Sequence, residues 1–89
     1  MDEQKHIKPH VLILENREKM NVSGVLDVES FNDEMVVLLT NKGKLTIKGE
    51  NLKVSSFAVE TGDLELQGNI IALAYVSNEQ KKGVFNKLF

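Results

Sequence analysis

The sequence has no cysteine and no tryptophan, and it has only one proline among its 89 residues. Without cysteine there is no disulfide bridge and no thiolate metal site, which fits a reducing compartment. Without tryptophan, the core must be built mainly from aliphatic side chains. A chain of this length forms one domain that buries about 60% of the surface its unfolded form exposes. We expect a domain of modest stability, for which self-association would be a source of extra stability.

Long apolar runs and an excess of either charge are also missing. The apolar runs at residues 11–14 and 35–39 are far shorter than the roughly 20 apolar residues that a membrane-spanning helix needs. The N-terminal residues are polar and no apolar stretch follows them, so we predict no signal peptide. The formal net charge of −2 argues against a general nucleic-acid binder, because such proteins are normally basic.

No group of residues matches a catalytic or cofactor-binding pattern. Pro9 separates His6 from His10, so no helix can place both on one face, and no third metal ligand lies nearby. The sequence has no Gly-x-Ser-x-Gly motif and no glycine-rich phosphate loop. We therefore predict no enzyme, no metal site and no cofactor. Two acidic pairs are interpreted as solvated outer strand faces: Asp27 with Glu29, and Asp63 with Glu65.

The pattern Gly-x-Leu-x-Ile/Leu-x-Gly occurs twice. It spans residues 43–49 and recurs 19 positions later at residues 62–68, and a fainter copy begins at Gly24. Apolar residues at every second position after a turn glycine indicate a half-buried strand that leaves a tight turn. We expect Gly43 and Gly62 to adopt the positive φ that closes a three-residue hairpin loop with a bulge. The glycines predicted to form turns or bulges are Gly24, Gly43, Gly49, Gly62 and Gly68.

The alternation along the rest of the chain predicts short strands joined by turns. They are expected at residues 11–15, 18–23, 25–31, 35–40, 44–48, 51–55, 57–60, 64–67 and 70–76. The predicted fold is all-β, a small antiparallel β-sandwich or flattened barrel built from hairpins. A short β-solenoid with one coil per repeat is the alternative. We divide the chain into a flexible N-terminal tail (1–9), a β domain (10–76) and a C-terminal tail (77–89).

Two of these strands are apolar without alternation, at residues 11–14 and 35–39. Both faces of such strands should be covered, because neither face carries the polar side chains that water would solvate. A second sheet, the C-terminal segment or another subunit could provide the cover. A flattened sandwich or a dimer would satisfy this requirement.

The C-terminal residues 81–89 combine lysines with large apolar side chains. In a short helix the apolar residues would gather on one side and the lysines would flank them. This arrangement suits the groove of a partner protein or an anionic membrane surface. The same residues could instead cap the core of the protein or be disordered. The candidate docking residues are Lys81, Lys82, Val84, Phe85, Lys87, Leu88 and Phe89.

Three segments resemble the YabP/YqfC family of bacterial sporulation proteins. The first is residues 22–34, which contain the sequence Gly-Val-Leu-Asp-Val-Glu-Ser-Phe at 24–31. The other two, at 39–49 and 62–68, contain the repeated glycine pattern. The basic, phenylalanine-containing tail after Tyr75 is similar to that of the YabP members in particular. The resemblance spans about residues 11–89.

The resemblance implies a small, β-rich, non-catalytic protein that endospore formation requires. The implied location is the cytoplasm of the mother cell, peripheral to the forespore membrane. The expected partners are further copies of the chain, a membrane-bound sporulation protein and, through the tail, the membrane surface. The alternative is a regulatory domain that binds a ligand or an acidic polymer through a lysine-rich strand face: Lys42, Lys44, Lys48 and Lys53.

Overall fold

Six β-strands form the part of the chain, residues 7–76, that a computed structural model describes. They are β1 (Val11–Glu15), β2 (Lys19–Ser23), β3 (Val25–Phe31), β4 (Met35–Thr40), β5 (Gly43–Ala58) and β6 (Asp63–Val76). All pair antiparallel in one sheet, in the order β1-β2-β6-β5-β4-β3. The predicted all-β class is confirmed. The antiparallel pairing excludes the solenoid alternative, and β1 and β3 do not join to close a barrel within residues 7–76.

The two longest strands replace several shorter strands that the sequence predicted. Residues 43–58 form one strand rather than three, and residues 63–76 form one rather than two. The β5–β6 register shifts between Lys48 and Gly49, and again between Glu50 and Lys53. Such irregularities let a strand bend while most of its hydrogen bonds persist. The predicted breaks near residues 49–51 and 68–69 are therefore bends within one long hairpin.

The bend divides the sheet into two half-sheets. The first half-sheet contains β3, β4, the start of β5 and the end of β6, and the second contains β1, β2, the start of β6 and the end of β5. Both contribute completely buried side chains, although residues 7–76 contain no helix that could cover them. The half-sheets therefore face each other, as the predicted sandwich requires. The core consists of Met20, Val22, Val25, Val36, Leu38, Leu45, Ile47, Leu52, Leu64, Leu66 and Ile70.

The 19-residue repeat relates one half-sheet to the other. Each copy supplies two buried residues, which pair with two buried residues of one earlier strand. These pairs are Leu45 with Leu38 and Ile47 with Val36 in the first half-sheet, and Leu64 with Val22 and Leu66 with Met20 in the second. An approximate twofold rotation thus exchanges the starts of β5 and β6, and it exchanges β4 with β2 and β3 with β1.

Gly49 and Gly68 occupy equivalent positions at the bend. A Cβ atom on Gly49 would overlap the carbonyl oxygen of Asn69. A Cβ atom on Gly68 would lie 2.6 Å from the carbonyl oxygen of Asn51. The two long strands approach this closely only because both positions lack a side chain.

The turns that precede β4 and β2 are attached to this bend in the same way. In each case two main-chain N–H groups at the bend donate to two carbonyl oxygens of the turn, at 2.9–3.0 Å. The pairs are Gly49 with Glu34 and Leu52 with Asp33 in the first half-sheet, and Gly68 with Glu18 and Ile70 with Arg17 in the second. The main-chain bonds therefore follow the same approximate twofold relation as the core.

The two hairpin loops differ in length from the three residues that the sequence predicted. Thr40 pairs directly with Gly43, which leaves a loop of residues 41–42. Ala58 pairs with Asp63, which leaves a longer loop of residues 59–62. Gly43 and Gly62 have φ angles of 114° and 80°. Both angles lie where an L-residue is strained, so a glycine is suited to each position.

His10 connects the two half-sheets at one corner. Its Nδ1 lies 2.9 Å from the carbonyl oxygen of Ser23, and its Nε2 lies 2.6 Å from the hydroxyl of Tyr75. A carbonyl oxygen can only accept, so Nδ1 carries a hydrogen and Nε2 of the neutral ring accepts from Tyr75. Burial raises the pKa of Tyr75, which keeps its hydroxyl protonated and able to donate. His10 is thus a half-buried structural residue.

Candidate functional site

The docking residues predicted from the sequence lie outside residues 7–76. These are Lys81, Lys82, Val84, Phe85, Lys87, Leu88 and Phe89, and their role stays a prediction. The chain reaches them from Val76, the last residue of β6. Val76 pairs with Lys44 and therefore lies on the outer side of the first half-sheet. A candidate site on the described residues must be found on the outer faces and the edges of the sheet.

The acidic residues of β6 form ordinary surface ion pairs. Asp63 lies 3.0 Å from the ammonium group of Lys8, and Glu65 lies 3.8 Å from that of Lys19. The hydrogen bond from Lys8, followed by one from Thr61, holds the pKa of Asp63 below its usual value. The stability that this contact provides is present above the ordinary pKa of aspartate and is lost as the pH falls through the lowered one. These carboxylates are thus neutralised by lysines.

Lys8 and Pro9, which the sequence assigned to the tail, contact the domain. The main-chain N–H of Lys8 donates to the carbonyl oxygen of Thr61 at 3.0 Å. The hydroxyl of Ser23 donates to the carbonyl oxygen of Pro9 at 2.7 Å. These bonds position the ammonium group of Lys8 beside Asp63. They also fix the start of β1 against the second half-sheet.

The four lysines of the alternative hypothesis do not form one surface. Lys44 and Lys48 lie on the outer side of the first half-sheet, and the ammonium group of Lys44 is 3.2 Å from Glu29. Lys53 follows the bend and pairs with Gln67 in the second half-sheet. Lys42 lies in the loop before β5. A linear acidic ligand therefore has no single lysine-lined strand face to follow.

The most apolar outer surface belongs to the first half-sheet. Met35, Val37 and Leu39 alternate with the buried side of β4 and are half-buried. Thr46 is paired with Val37 on β5, and small alanines follow on β6. We name this surface the β4 face, and it consists of Met35, Val37, Leu39, Thr46, Ala72 and Ala74. A shallow recess of about 200 Å³ lies on its β5–β6 side, lined by Thr46, Lys48, Ala72, Leu73 and Ala74.

The prediction that both faces of residues 35–39 are apolar has a direct structural counterpart. The inner side of β4 is completely buried in the core, and the outer side is half-buried. The β4 face therefore offers large aliphatic groups to a molecule outside the sheet. Binding such a face removes apolar surface from water without requiring any charged group on the partner.

The outer surface of the second half-sheet is polar except at β1. Lysine, asparagine, serine and carboxylate side chains cover β2 and the start of β6. On β1, Leu12 and Leu14 pack against the core, but Val11 and Ile13 are each 51% exposed. The expectation that both faces of residues 11–14 are covered is thus not met within the described chain. Val11 and Ile13 border a shallow depression of about 450 Å³.

Neither a metal cluster nor a membrane-spanning helix occurs among the described residues. Within residues 7–76, no three histidine, aspartate or glutamate side chains come close enough to hold a metal ion. The same range contains no helix long and apolar enough to cross a membrane. Within residues 7–76 the geometry gives a bent sheet with an apolar outer face on β4 and an apolar edge at β1. The sequence indicated both strands but could not show which of their sides stays uncovered.

Comparison with known proteins connects this sheet to one family. The chain matches the model of the YabP family over residues 6–82. It is similar to the "Spore protein YabP" of Bacillus subtilis (strain 168), with 36% identity over 83 residues. The aligned region is 90% of this chain and 83% of that relative. The family match includes every strand of the described sheet.

Proposed function

Because the chain belongs to the YabP family, as its resemblance to that family predicted, we propose that it is a sporulation protein that acts by binding rather than by catalysis. The similar protein from Bacillus subtilis is named a spore protein, and the alignment spans most of both chains. We place the protein in the mother cell at the forespore surface. There it would serve as a small interaction module in endospore formation.

The β4 face is the observation that carries the binding role. Its three large aliphatic residues, Met35, Val37 and Leu39, form a row on the outer side of β4, which has a strand on each side. The equivalent strand of the other half-sheet, β2, shows polar residues on its outer side. The approximate twofold relation thus holds in the core but not on the surface. Folding requires the shared core, whereas an apolar row on only one outer face is typical of an interaction site.

The C-terminal tail and the β4 face would contact the same partner. Residues 77–89 continue from Val76, which lies beside the β4 face opposite Lys44. A membrane-bound sporulation protein could therefore contact the apolar row while Phe85, Phe89 and the lysines bind it or the adjacent anionic membrane. Two weak contacts on one partner bind more strongly than either alone, because the second becomes intramolecular.

Substitution of Val37 by glutamate tests the role of the β4 face. The new carboxylate would point outward opposite Thr46, between Lys44 and Lys48, so the sheet can accept it. A charge buried against a partner should weaken binding by about tenfold or more. We expect a matching loss of heat-resistant spores when the variant replaces the natural chain, whereas the purified domain should still melt in one cooperative transition.

Gln67→Glu is the matched control for this substitution. It also places an outward carboxylate on the sheet, between Lys19 and Lys53, but on the polar second half-sheet. Gln67→Glu should produce normal spore numbers. Equal spore numbers for Val37→Glu and the natural protein would contradict a binding role for the β4 face.

Removal of residues 83–89 tests docking through the tail. The core residues of the described chain lie within residues 20–70, so we expect the truncated protein to keep the melting temperature of the full chain. A fluorescent fusion of the truncated chain should be spread through the mother-cell cytoplasm, while the full-length fusion collects at the forespore. If the truncated fusion still collects there, the tail does not dock the protein.

A further inference from the structure

The two outer strands of the sheet, β1 and β3, differ in how they protect their free edges. The pairing of β3 shifts register twice, between Val25 and Asp27 and between Val28 and Ser30, and its edge carries acidic side chains. Natural sheets use such bulges and charges to prevent pairing with another chain. β1 has no register shift, and its single charged residue, Glu15, is at its end. β1 is therefore an outer strand without these protections.

Within residues 7–76, the main-chain groups of β1 that no strand pairs with belong to Leu12 and Leu14. The N–H of Val11 donates to the hydroxyl of Ser23 at 3.1 Å, and the carbonyl of Glu15 accepts from Glu18 at 2.9 Å. The groups of the odd-numbered residues therefore point towards β2. Successive residues of a strand direct their N–H and C=O groups to opposite sides, so those of Leu12 and Leu14 point away from the sheet. No described strand pairs with β1 on that side.

We propose that β1 pairs antiparallel with β1 of a second copy of this chain, about a twofold axis at Ile13. Leu12 then lies opposite Leu14 of the partner subunit, and Leu14 opposite Leu12 of the partner subunit. These two pairs use every free N–H and C=O of Leu12 and Leu14, in four hydrogen bonds. The two sheets become one continuous sheet, and the half-exposed Ile13 contacts Ile13 of the partner subunit.

The sequence of β1 favours a second copy as the occupant because the strand is complementary to itself. Four of its five residues are aliphatic, so apolar side chains meet apolar side chains at the three central positions. Each Glu15 lies opposite Val11 of the partner subunit, which separates the two carboxylates by about 13 Å along the strand. The only two like charges of the paired strands are therefore kept apart.

The main chain of His10 argues against an axis at Leu12. That register would pair Leu14 with His10 of the partner subunit. The main-chain nitrogen of His10 already lies against Gly24, where an added Cβ would be only 2.8 Å away, and the His10 ring is bonded to Ser23 and Tyr75. His10, just before β1, is thus packed against its own domain, and the axis at Ile13 does not require it to pair with the second copy.

The contact is short, since five residues extend about 17 Å. It is smaller than a standard interface, and we expect a dimer whose dissociation constant is micromolar or weaker. The pairing goes beyond the proposed function and does not depend on it. It would double the number of β4 faces in one assembly and strengthen binding to a partner that is itself repeated.

The absence of cysteine allows a direct test with the full-length chain. Ile13→Cys should form a disulfide-linked dimer on mild oxidation, because directly opposite residues of a pair without mutual hydrogen bonds approach within about 4.5–5.5 Å. Val11→Cys should cross-link much less, since the two Val11 positions would be about 13 Å apart. Leu26→Cys, at an exposed position on β3, measures random collision. Equal cross-linking of Ile13→Cys and Leu26→Cys would overturn the proposal, and stronger cross-linking of Val11→Cys would overturn its register.

Sedimentation velocity tests the same pairing without cross-links. The natural chain should sediment increasingly as a dimer between about 10 µM and 1 mM. Ile13→Lys should remain monomeric over this range and keep its melting transition, because the side chain is half exposed. A natural chain that stays monomeric, or an Ile13→Lys chain that still dimerises, would refute the pairing. Val37→Glu should dimerise normally, so this result and the spore counts test the pairing and the β4 face separately.

Discussion

Alanine in place of Gly49 should destabilise the domain severely. The added methyl group would overlap the carbonyl oxygen of Asn69 and come within 2.9 Å of Leu52. Asn69 is part of the β5–β6 ladder, so it cannot move aside without breaking main-chain hydrogen bonds near the centre of the sheet. We expect a loss of about 3 kcal/mol or more, a large part of the stability of a small domain. Urea unfolding, monitored by circular dichroism, measures this loss in the free energy of unfolding.

Gly43→Ala is the matched control, because it changes backbone strain without the same overlap. The φ of Gly43 is 114°, and an added methyl group would meet only the carbonyl oxygen of Val76, at 3.2 Å. The strain alone should cost about 1–2 kcal/mol. Gly49 has no such positive φ, so its substitution tests close packing alone. Equal stability of the two variants would show that β5 and β6 do not approach as described.

The strands of this fold could be predicted from the sequence because the pattern that defines them is local. Leu45 and Ile47 alternate with polar residues, and so do Leu64 and Leu66, and all four are buried. The sequence could not show that the two copies occupy equivalent places in facing half-sheets. That relation depends on which strands pair, and pairing is decided by contacts between distant residues.

The sequence pattern predicted turns where the structure has bends, and the reason is physical. A glycine after a strand can end it in a turn or allow a bend with a close main-chain approach, and the local pattern is the same. At Gly49 and Gly68 the second situation occurs, because each faces a carbonyl oxygen of the other strand. The predicted number of strands was therefore too large, although the all-β class and the antiparallel hairpins were predicted correctly.

The candidate surfaces were only partly predictable. The apolar runs at residues 11–14 and 35–39 indicated that two strands need cover on both sides. Which side remains open follows from the sheet order, which places β1 at an edge and β4 inside the first half-sheet. The structural role of His10 could not be predicted, because its partners Ser23 and Tyr75 are 13 and 65 residues away in the sequence. No local pattern contains contacts of that separation.

Truncation of Leu45 and of Leu64 to alanine should destabilise the domain by similar amounts. The two residues are equivalent under the 19-residue repeat and are 0% and 2% exposed. Each truncation leaves a cavity in the shared core and should cost about 2–5 kcal/mol in the free energy of unfolding. Leu26→Ala, on the exposed side of β3, should change it by only about 0.5 kcal/mol. Urea unfolding of the three purified variants gives the comparison.

The shape of these transitions tests whether the two half-sheets are one folding unit. β5 and β6 belong to both half-sheets, so neither half can lose its core while the other keeps its pairing. Both truncations should therefore shift a single cooperative transition to lower urea. A Leu64→Ala variant with two transitions, or with natural stability beside a destabilised Leu45→Ala, would show that the half-sheets fold separately. The shared hairpin requires the opposite result, because a cavity in either half weakens the one core between them.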